Sequence, residues 1–204
     1  MGDRSAERVA VLVARPGGEM GTRYELRLAG EGGQGLILAG VILAEAAAVG
    51  DGKYVTQTQS YGPEARGGAS SAEVVISDEE IDYPKVVEAD LLLAMSQEAC
   101  DRYCADLREG GILIVDSILV HQVPGGSAYR VPITKLAEEA TGRRVTANIV
   151  ALGLIVGLTE VVSRGAVEEA LAGRVPKGTQ VLNRRALEAG LEMAETLKRP
   201  SQLA

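Results

Sequence analysis

The run Gly30-Glu31-Gly32-Gly33-Gln34-Gly35 constrains this chain more than any other feature. An apolar stretch with strand character (24–29) leads into it and a long apolar helical stretch (36–49) leads out, so the glycines must carry a tight strand-to-helix connection. The spacing satisfies GxGxxG with one glycine to spare. Gly30 suits a tight turn, Gly32 and Gly33 let backbone N–H groups approach an anion, and Gly35 lets the helix pack near the strand. A phosphate at the helix start is the ligand this arrangement would serve. The same glycines would equally serve a turn that holds nothing.

Beyond the turn, strand and helix patterns alternate along the chain. Strands are expected at 53–59 and 69–77, in the apolar run 89–95, at 112–116 after the Gly110-Gly111 break, and near 128–131. Helices are expected over 97–107, 134–141, 147–162, 165–172 and 179–197, punctuated by Gly142, Gly165, Gly173 and Pro176. Strands alternating with helices predict an α/β fold: a three-layer, doubly wound, mostly parallel, Rossmann-like sheet, covered on both faces, with C-terminal helices and with its sites at the carboxyl ends of the strands. One domain over 21–198 accounts for this pattern. Residues 1–20 stand apart, as an isolated apolar run closed by Arg15-Pro16-Gly17-Gly18. They read as an N-terminal extension, either disordered or translated from upstream of a natural start at Met20.

Composition removes several classes of function. With 21 Lys and Arg scattered among 28 Asp and Glu, a formal charge of -7 and no basic stripe, nucleic acid is not an expected partner. The longest apolar stretch, 147–158, falls short of the roughly 20 residues that span a bilayer and is interrupted by Gly153 and Gly157, so it reads as a buried helix and no membrane contact is expected. The run 8–14 is short for a signal peptide, and a cytoplasmic location is expected. Cys100 and Cys104 share a helix face, but an iron–sulfur cluster or a structural zinc takes four ligands. Two reduced structural thiols and no metal site are expected. His121 is the lone histidine, with no nucleophile and flanking acid in an elbow-type motif, so no residue here is assigned a catalytic role.

A nicotinamide enzyme would place an acid at the end of the second strand. Here that strand ends Thr56-Gln57-Thr58-Gln59, and Asp51, at the right offset, reads as part of the turn Gly50-Asp51-Gly52 before it. The same triplet opens like a thiamine diphosphate and magnesium motif, but the Asn that would complete it does not occur before Asn148. The loop Ser60-Tyr61-Gly62-Pro63-Glu64-Ala65-Arg66-Gly67-Gly68 falls at the carboxyl edge. Tyr61 offers a ring and a hydroxyl, and Arg66 a planar fork for carboxylate or phosphate. Asn148 and Asn183 stand near helix starts, where helix capping is their ordinary use.

Taken together, RLAGEGGQGLILAGVILAEA (27–46), TQSYGPEARGG (58–68), VVISDEEIDYP (74–84), GGILIVDS (110–117) and TANIVALG (146–153) resemble the gamma subunit of 2-oxoacid:ferredoxin oxidoreductases, most of all that of the 2-oxoglutarate enzyme. The resemblance runs from about residue 23 to 195 and rests on the glycine turn and the YGPEARGG loop occurring together. It implies a subunit inactive alone, packed near the coenzyme A side of an active site built by alpha and beta subunits. A ferredoxin-like delta subunit is a further partner in some arrangements. Thiamine diphosphate, Mg²⁺ and iron–sulfur clusters then belong to the partners, which decarboxylate the 2-oxoacid, pass electrons to ferredoxin and form succinyl-CoA. This chain would hold no cofactor firmly, with coenzyme A contact as its one expected ligand role.

Carried onto this sequence, the resemblance implies a binding turn at Gly30, Gly32, Gly33, Gln34 and Gly35. It implies an interface loop at Tyr61, Gly62, Pro63, Glu64, Arg66, Gly67 and Gly68, with Glu64 and Arg66 reaching across to a partner. Three alternatives stay open on sequence alone: the same role in a pyruvate or branched-chain 2-oxoacid enzyme, a freestanding NAD(P)-binding oxidoreductase, and a nucleotide-binding scaffold.

Overall fold

The apolar run Ala89–Ala94 lies inside the sheet, because a strand with neighbours on both edges and layers on both faces has no side that favours polar groups. The computed structural model describes residues 8–12, 23–60, 69–124 and 127–199. Its elements in chain order are β1 (Arg8–Leu12), β2 (Tyr24–Glu31), α1 (Leu36–Glu45), β3 (Tyr54–Ser60), β4 (Ala69–Ser77), β5 (Ala89–Ala94), α2 (Gln97–Tyr103), β6 (Leu107–Asp116), β7 (Tyr129–Val131), α3 (Ile133–Thr141), α4 (Ala147–Thr159), α5 (Arg164–Arg174) and α6 (Gln180–Lys198). Every residue of β5 is buried.

The strands form one sheet in the order β1-β3-β4-β2-β5-β6-β7. β2, β5, β6 and β7 pair in parallel, and β3 runs the same way because it is antiparallel to β4, which is antiparallel to β2. Only β4 and β1 oppose that direction, so the sheet is α/β and mostly parallel. β1 supplies five residues of the 1–20 stretch as an antiparallel edge strand on β3; Met20 lies outside the described residues.

The two faces are covered unequally, which the sequence pattern does not reveal. On one face Leu26, Leu28, Val74, Leu91, Leu93 and Ile114 meet the apolar sides of α1 and α3 through α6 in a single large core. On the other, α2 covers a small cluster of Ala29, Leu92, Ala94 and Val115 with Ala99 and Cys100. Beside that cluster the sheet carries charge. Arg27, 6% exposed, pairs with Glu73 at 2.9 Å and Asp106 at 2.6 Å, and its guanidinium lies 4.8 Å from the Tyr103 ring centre. A buried charge requires such partners.

Several boundaries differ from the expected ones. The helix expected over 97–107 ends at Tyr103, and β6 begins at Leu107 instead of 112. The pairing explains this: Ala89 faces Leu107 and Leu91 faces Ile112, so residues 108–111 bulge out of one continuous strand rather than breaking it. The helix expected over 36–49 closes in a π turn, Ala46–Gly50. Beneath the sheet, α4 and α6 pack through Gly153 and Gly190, where an added Cβ on either would overlap the other helix's backbone. No helix among the described residues is long and apolar enough to cross a membrane.

Candidate functional site

β2 and β5 lie side by side in parallel, and the helices that succeed them leave in opposite directions. α1 packs into the large core on one face and α2 into the small cluster on the other. This divergence opens a crevice at the carboxyl ends of the two strands, the place where open α/β sheets take ligands. The glycine turn lies at this edge, between β2 and α1.

The residues of the turn divide the work differently from the sequence expectation. Gly30 does not make the tight turn; it is the seventh residue of β2, and a side chain there would collide with Gln34, Leu36 and Met95. The bend falls instead on Gly33, at φ 94°, and Gly35, at φ 75°, both in the left-handed region that glycine enters without strain. Gly32 and Gly33 are exposed, and Gln34 N donates to Glu31 O at 3.2 Å to close the turn.

Gln34 is a brace. Its Oε1 accepts from Glu31 N at 2.8 Å and its Nε2 donates to Met95 O at 2.9 Å, so one carboxamide ties the end of β2 to the end of β5. Gly35 gives room to α4 rather than to β2. Asn148 Nδ2 donates to Gly35 O at 3.0 Å, and a Cβ on Gly35 would stand 2.6 Å from that nitrogen. Asn148 therefore caps nothing on its own helix, which has no side-chain cap. Asn183 likewise turns back to Thr179 O at 3.0 Å. Asn148, 5% exposed, belongs to this site; its only trace in the sequence is a lone amide in an apolar helix.

The start of α1 carries no side-chain cap, which leaves its first N–H groups directed at the crevice. Across from it Ser96 Oγ accepts from Ala99 N at 3.2 Å and starts α2. Gln97 holds the loop after β6 in place, accepting from His121 N at 2.9 Å and Gln122 N at 3.0 Å. His121 thus lies against an amide, not a nucleophile. Asp116 is fully buried and accepts from Thr134 N at 2.9 Å and from the Thr134 hydroxyl, which fixes the chain between β6 and α3.

Tyr61, Gly62, Pro63, Glu64, Arg66, Gly67 and Gly68 lie outside the described residues. The ends of that segment are fixed, since Glu31 pairs with Ala69 and Ser60 with Ser71, which sets both ends at the same carboxyl edge. Two surface grooves of about 400 and 410 Å³ lie elsewhere, one between α5 and α6 and one at the starts of β6 and β7.

Asp51 is not placed as a ribose ligand. It precedes β3, at the opposite edge of the sheet, and its carboxylate accepts from Ser163 N and Oγ, both at 2.6 Å. It is held there and cannot reach a ribose in the crevice. Cys100 and Cys104 stand with their sulfurs 3.2 Å apart. Burial and the bond from Cys100 push the Cys104 thiol up to about 12, with Asp101 adding to the rise. Among the described residues no group of three or more His, Cys, Asp or Glu is placed to hold a metal ion.

The molecule is thus an open, doubly wound α/β domain whose glycine turn joins β2 to α1 where the helices after β2 and β5 diverge to opposite faces. The chain belongs to the pyruvate ferredoxin/flavodoxin oxidoreductase family, whose model matches residues 25–193. It is 51% identical over 179 residues to the 2-oxoglutarate synthase subunit KorC of Methanocaldococcus jannaschii, covering 86% of this chain and 96% of that one. Among solved structures, the gamma subunit of a keto/oxoacid ferredoxin oxidoreductase from Geobacter sulfurreducens is 53% identical with a TM-score of 0.80, covering 87% of this chain and 99% of that one. The 2-oxoglutarate:ferredoxin oxidoreductase of Magnetococcus marinus, bound to 2-oxoglutarate, coenzyme A and succinyl-CoA, matches at 25% identity and a TM-score of 0.76. That match covers 88% of this chain and 32% of the longer one.

Proposed function

We propose that this chain is the gamma subunit of a 2-oxoglutarate:ferredoxin oxidoreductase, bracing the coenzyme A side of an active site whose thiamine diphosphate, Mg²⁺ and iron–sulfur clusters reside in alpha and beta subunits. The observation that carries this reading is identity along a whole subunit, 51% over 96% of a 2-oxoglutarate synthase subunit. It falls to 38% against a ketoisovalerate oxidoreductase subunit, of which this chain covers 36%. A 2-oxoglutarate synthase subunit of Archaeoglobus fulgidus is also 38% identical, but over 93% of its length, so the match along a whole subunit, not the identity, favours 2-oxoglutarate over the branched-chain substrate.

The chemistry of the site supports a bracing role. Two cysteines fall short of the ligands a cluster takes, and Asp51 is hydrogen-bonded to Ser163, which supports placing the iron–sulfur and thiamine sites in the partner subunits. What it offers is the uncapped start of α1 behind Gly33, suited to a phosphate of coenzyme A. Ile118 and Leu119, 48% and 36% exposed, come after β6 at the carboxyl edge, and Val145, 71% exposed, stands three residues before Asn148. Apolar side chains collected at the edge that bears the crevice suit docking onto the thiamine-binding subunits. The resemblance adds Glu64 and Arg66 to the residues proposed for that contact.

The test is a native pull-down on this chain, with mass spectrometry of the partners and dye reduction by the eluate dependent on coenzyme A. Thiamine-binding subunits should copurify, and 2-oxoglutarate should drive reduction in preference to pyruvate or 2-oxoisovalerate. A chain that elutes alone and binds NADH overturns the reading. The turn is tested by Gly33→Asp, because a side chain there meets nothing within 4 Å and Asp enters the left-handed region at less cost than most residues. The variant should assemble normally with a raised KM for coenzyme A and an unchanged KM for 2-oxoglutarate. An unchanged KM for coenzyme A removes the phosphate role while leaving the subunit assignment standing.

A further inference from the structure

We propose that Cys100 and Cys104 form a redox-modification site, a dithiol that a low-molecular-weight disulfide closes to an intrachain disulfide at the end of α2. The two sulfurs lie 3.2 Å apart, and a covalent bond needs them closer by only about 1 Å. Within a regular helix, cysteines four apart have β-carbons too far separated for easy closure. Here Cys104 is the C-cap of α2, its N–H bonded to Cys100 O, and the chain then enters a tighter 3-10 turn over Cys104–Asp106. The adjustment therefore falls on a terminal turn, where the helix ladder already ends. No other cysteine exists in the chain.

The two thiols differ in access, which sets the order of events. Cys104 is partly exposed, whereas Cys100 is fully buried against Ala99, Leu92 and Val115. The Cys104 thiolate attacks one sulfur of the small disulfide and expels the other as a thiolate, leaving a mixed disulfide. Cys100 Sγ then attacks Cys104 Sγ and expels the second thiolate. The protein loses two electrons and two protons, and the small disulfide becomes two thiols. The high-lying Cys104 thiol makes the first attack slow near neutral pH, so the site answers sustained oxidation rather than brief exposure. Closure pins the last turn of α2, which carries Tyr103, the ring under Arg27.

Arg102 lies between the two cysteines, so trypsin separates them onto adjacent peptides that stay joined only by a disulfide. The full-length chain, folded, is held with excess oxidised glutathione, alkylated, digested and read by mass spectrometry with and without reductant. The expected result is a linked pair of peptides, 86–102 with 103–108, that separates on reduction. Cys100→Ser should instead keep glutathione stably on Cys104. Both cysteines alkylated after an exposure that fully modifies the urea-unfolded chain overturn the proposal. So does a glutathione adduct on the wild-type Cys104 that never resolves, or a link between two chains.

Discussion

Asn148 and Gly35, 113 positions apart in the chain, meet where α4 starts and α1 begins, the Asn148 amide donating to the Gly35 carbonyl at 3.0 Å. That one contact sets how the helix after the glycine turn sits on the helix behind it. Asn148→Ala should cost about 1–2 kcal/mol in denaturant unfolding, the worth of a buried hydrogen bond whose acceptor keeps a second donor, Ala39 N. Asn148→Asp should cost more, since it sets a carboxylate against a carbonyl oxygen. Equal stabilities for the wild type and the Asp variant would show that the contact is not made.

Arg27 gives a sharper contrast. Its partner Glu73 has a side chain only 19% exposed, whereas that of Asp106 is 46% exposed. Arg27→Met should destabilise the chain by about 1–3 kcal/mol, because it leaves the largely buried Glu73 carboxylate with only Thr58 and Val86 as donors. Asp106→Asn should cost less than about 1 kcal/mol, as its ion pair is largely screened by water. Arg27→Met combined with Glu73→Gln should recover part of the single-variant loss. Additive losses in the double variant would refute the pairing.

These two cases mark what the sequence can and cannot disclose. The sheet is legible because strand and helix patterns alternate along the chain and β5 is a nearly unbroken apolar run, and the crevice is legible because the glycine turn falls between a strand and a helix. Gln34 and Gly35 stand in the turn that the glycine spacing marks, yet their partners, Met95 and Asn148, are brought there by folding, and no local spacing encodes them. Glu25, Arg27 and Glu73 alternate with apolar neighbours like a solvated face. They are largely withdrawn from water because they pair with groups from other strands and loops. The α2–β6 boundary is hidden because Gly110-Gly111 reads as a break, while the register of β5 absorbs it as a bulge.

Tyr24 provides a test in pH. Burial, reinforced by the charge of Asp90, raises its phenol from 10.0 to about 12, with Arg108 acting in the opposite direction. A group that holds its proton more tightly when folded stabilises the fold below its unfolded pKa and loses that contribution as pH rises through the folded value. The unfolding midpoint should therefore fall between pH 10 and 12, and Tyr24→Phe should fall less steeply. In ultraviolet titration of the folded chain, the same substitution should remove a late-ionising tyrosine. An unaltered titration curve in Tyr24→Phe would sink this assignment.

The contact of α4 with α6 rests on the absence of two β-carbons. On Gly190 a Cβ would overlap Val150 O and stand 2.9 Å from Gly153 Cα; on Gly153 it would overlap Leu187 O. The first eleven residues of α4 are buried, so the helix has no solvent side toward which to relax. Gly153→Ala and Gly190→Ala should each cost about 2–3 kcal/mol or more, the penalty of overpacking a closed interior. The pair should cost less than the sum, because one added methyl already spreads the helices for the second. Gly173, in α5, faces open space, and Gly173→Ala should instead stabilise the chain by about 0.5–1 kcal/mol through helix propensity. Urea unfolding of the four variants decides the matter: if Gly153→Ala behaves like Gly173→Ala, the two helices do not approach at backbone distance, and the layer beneath the crevice is packed differently.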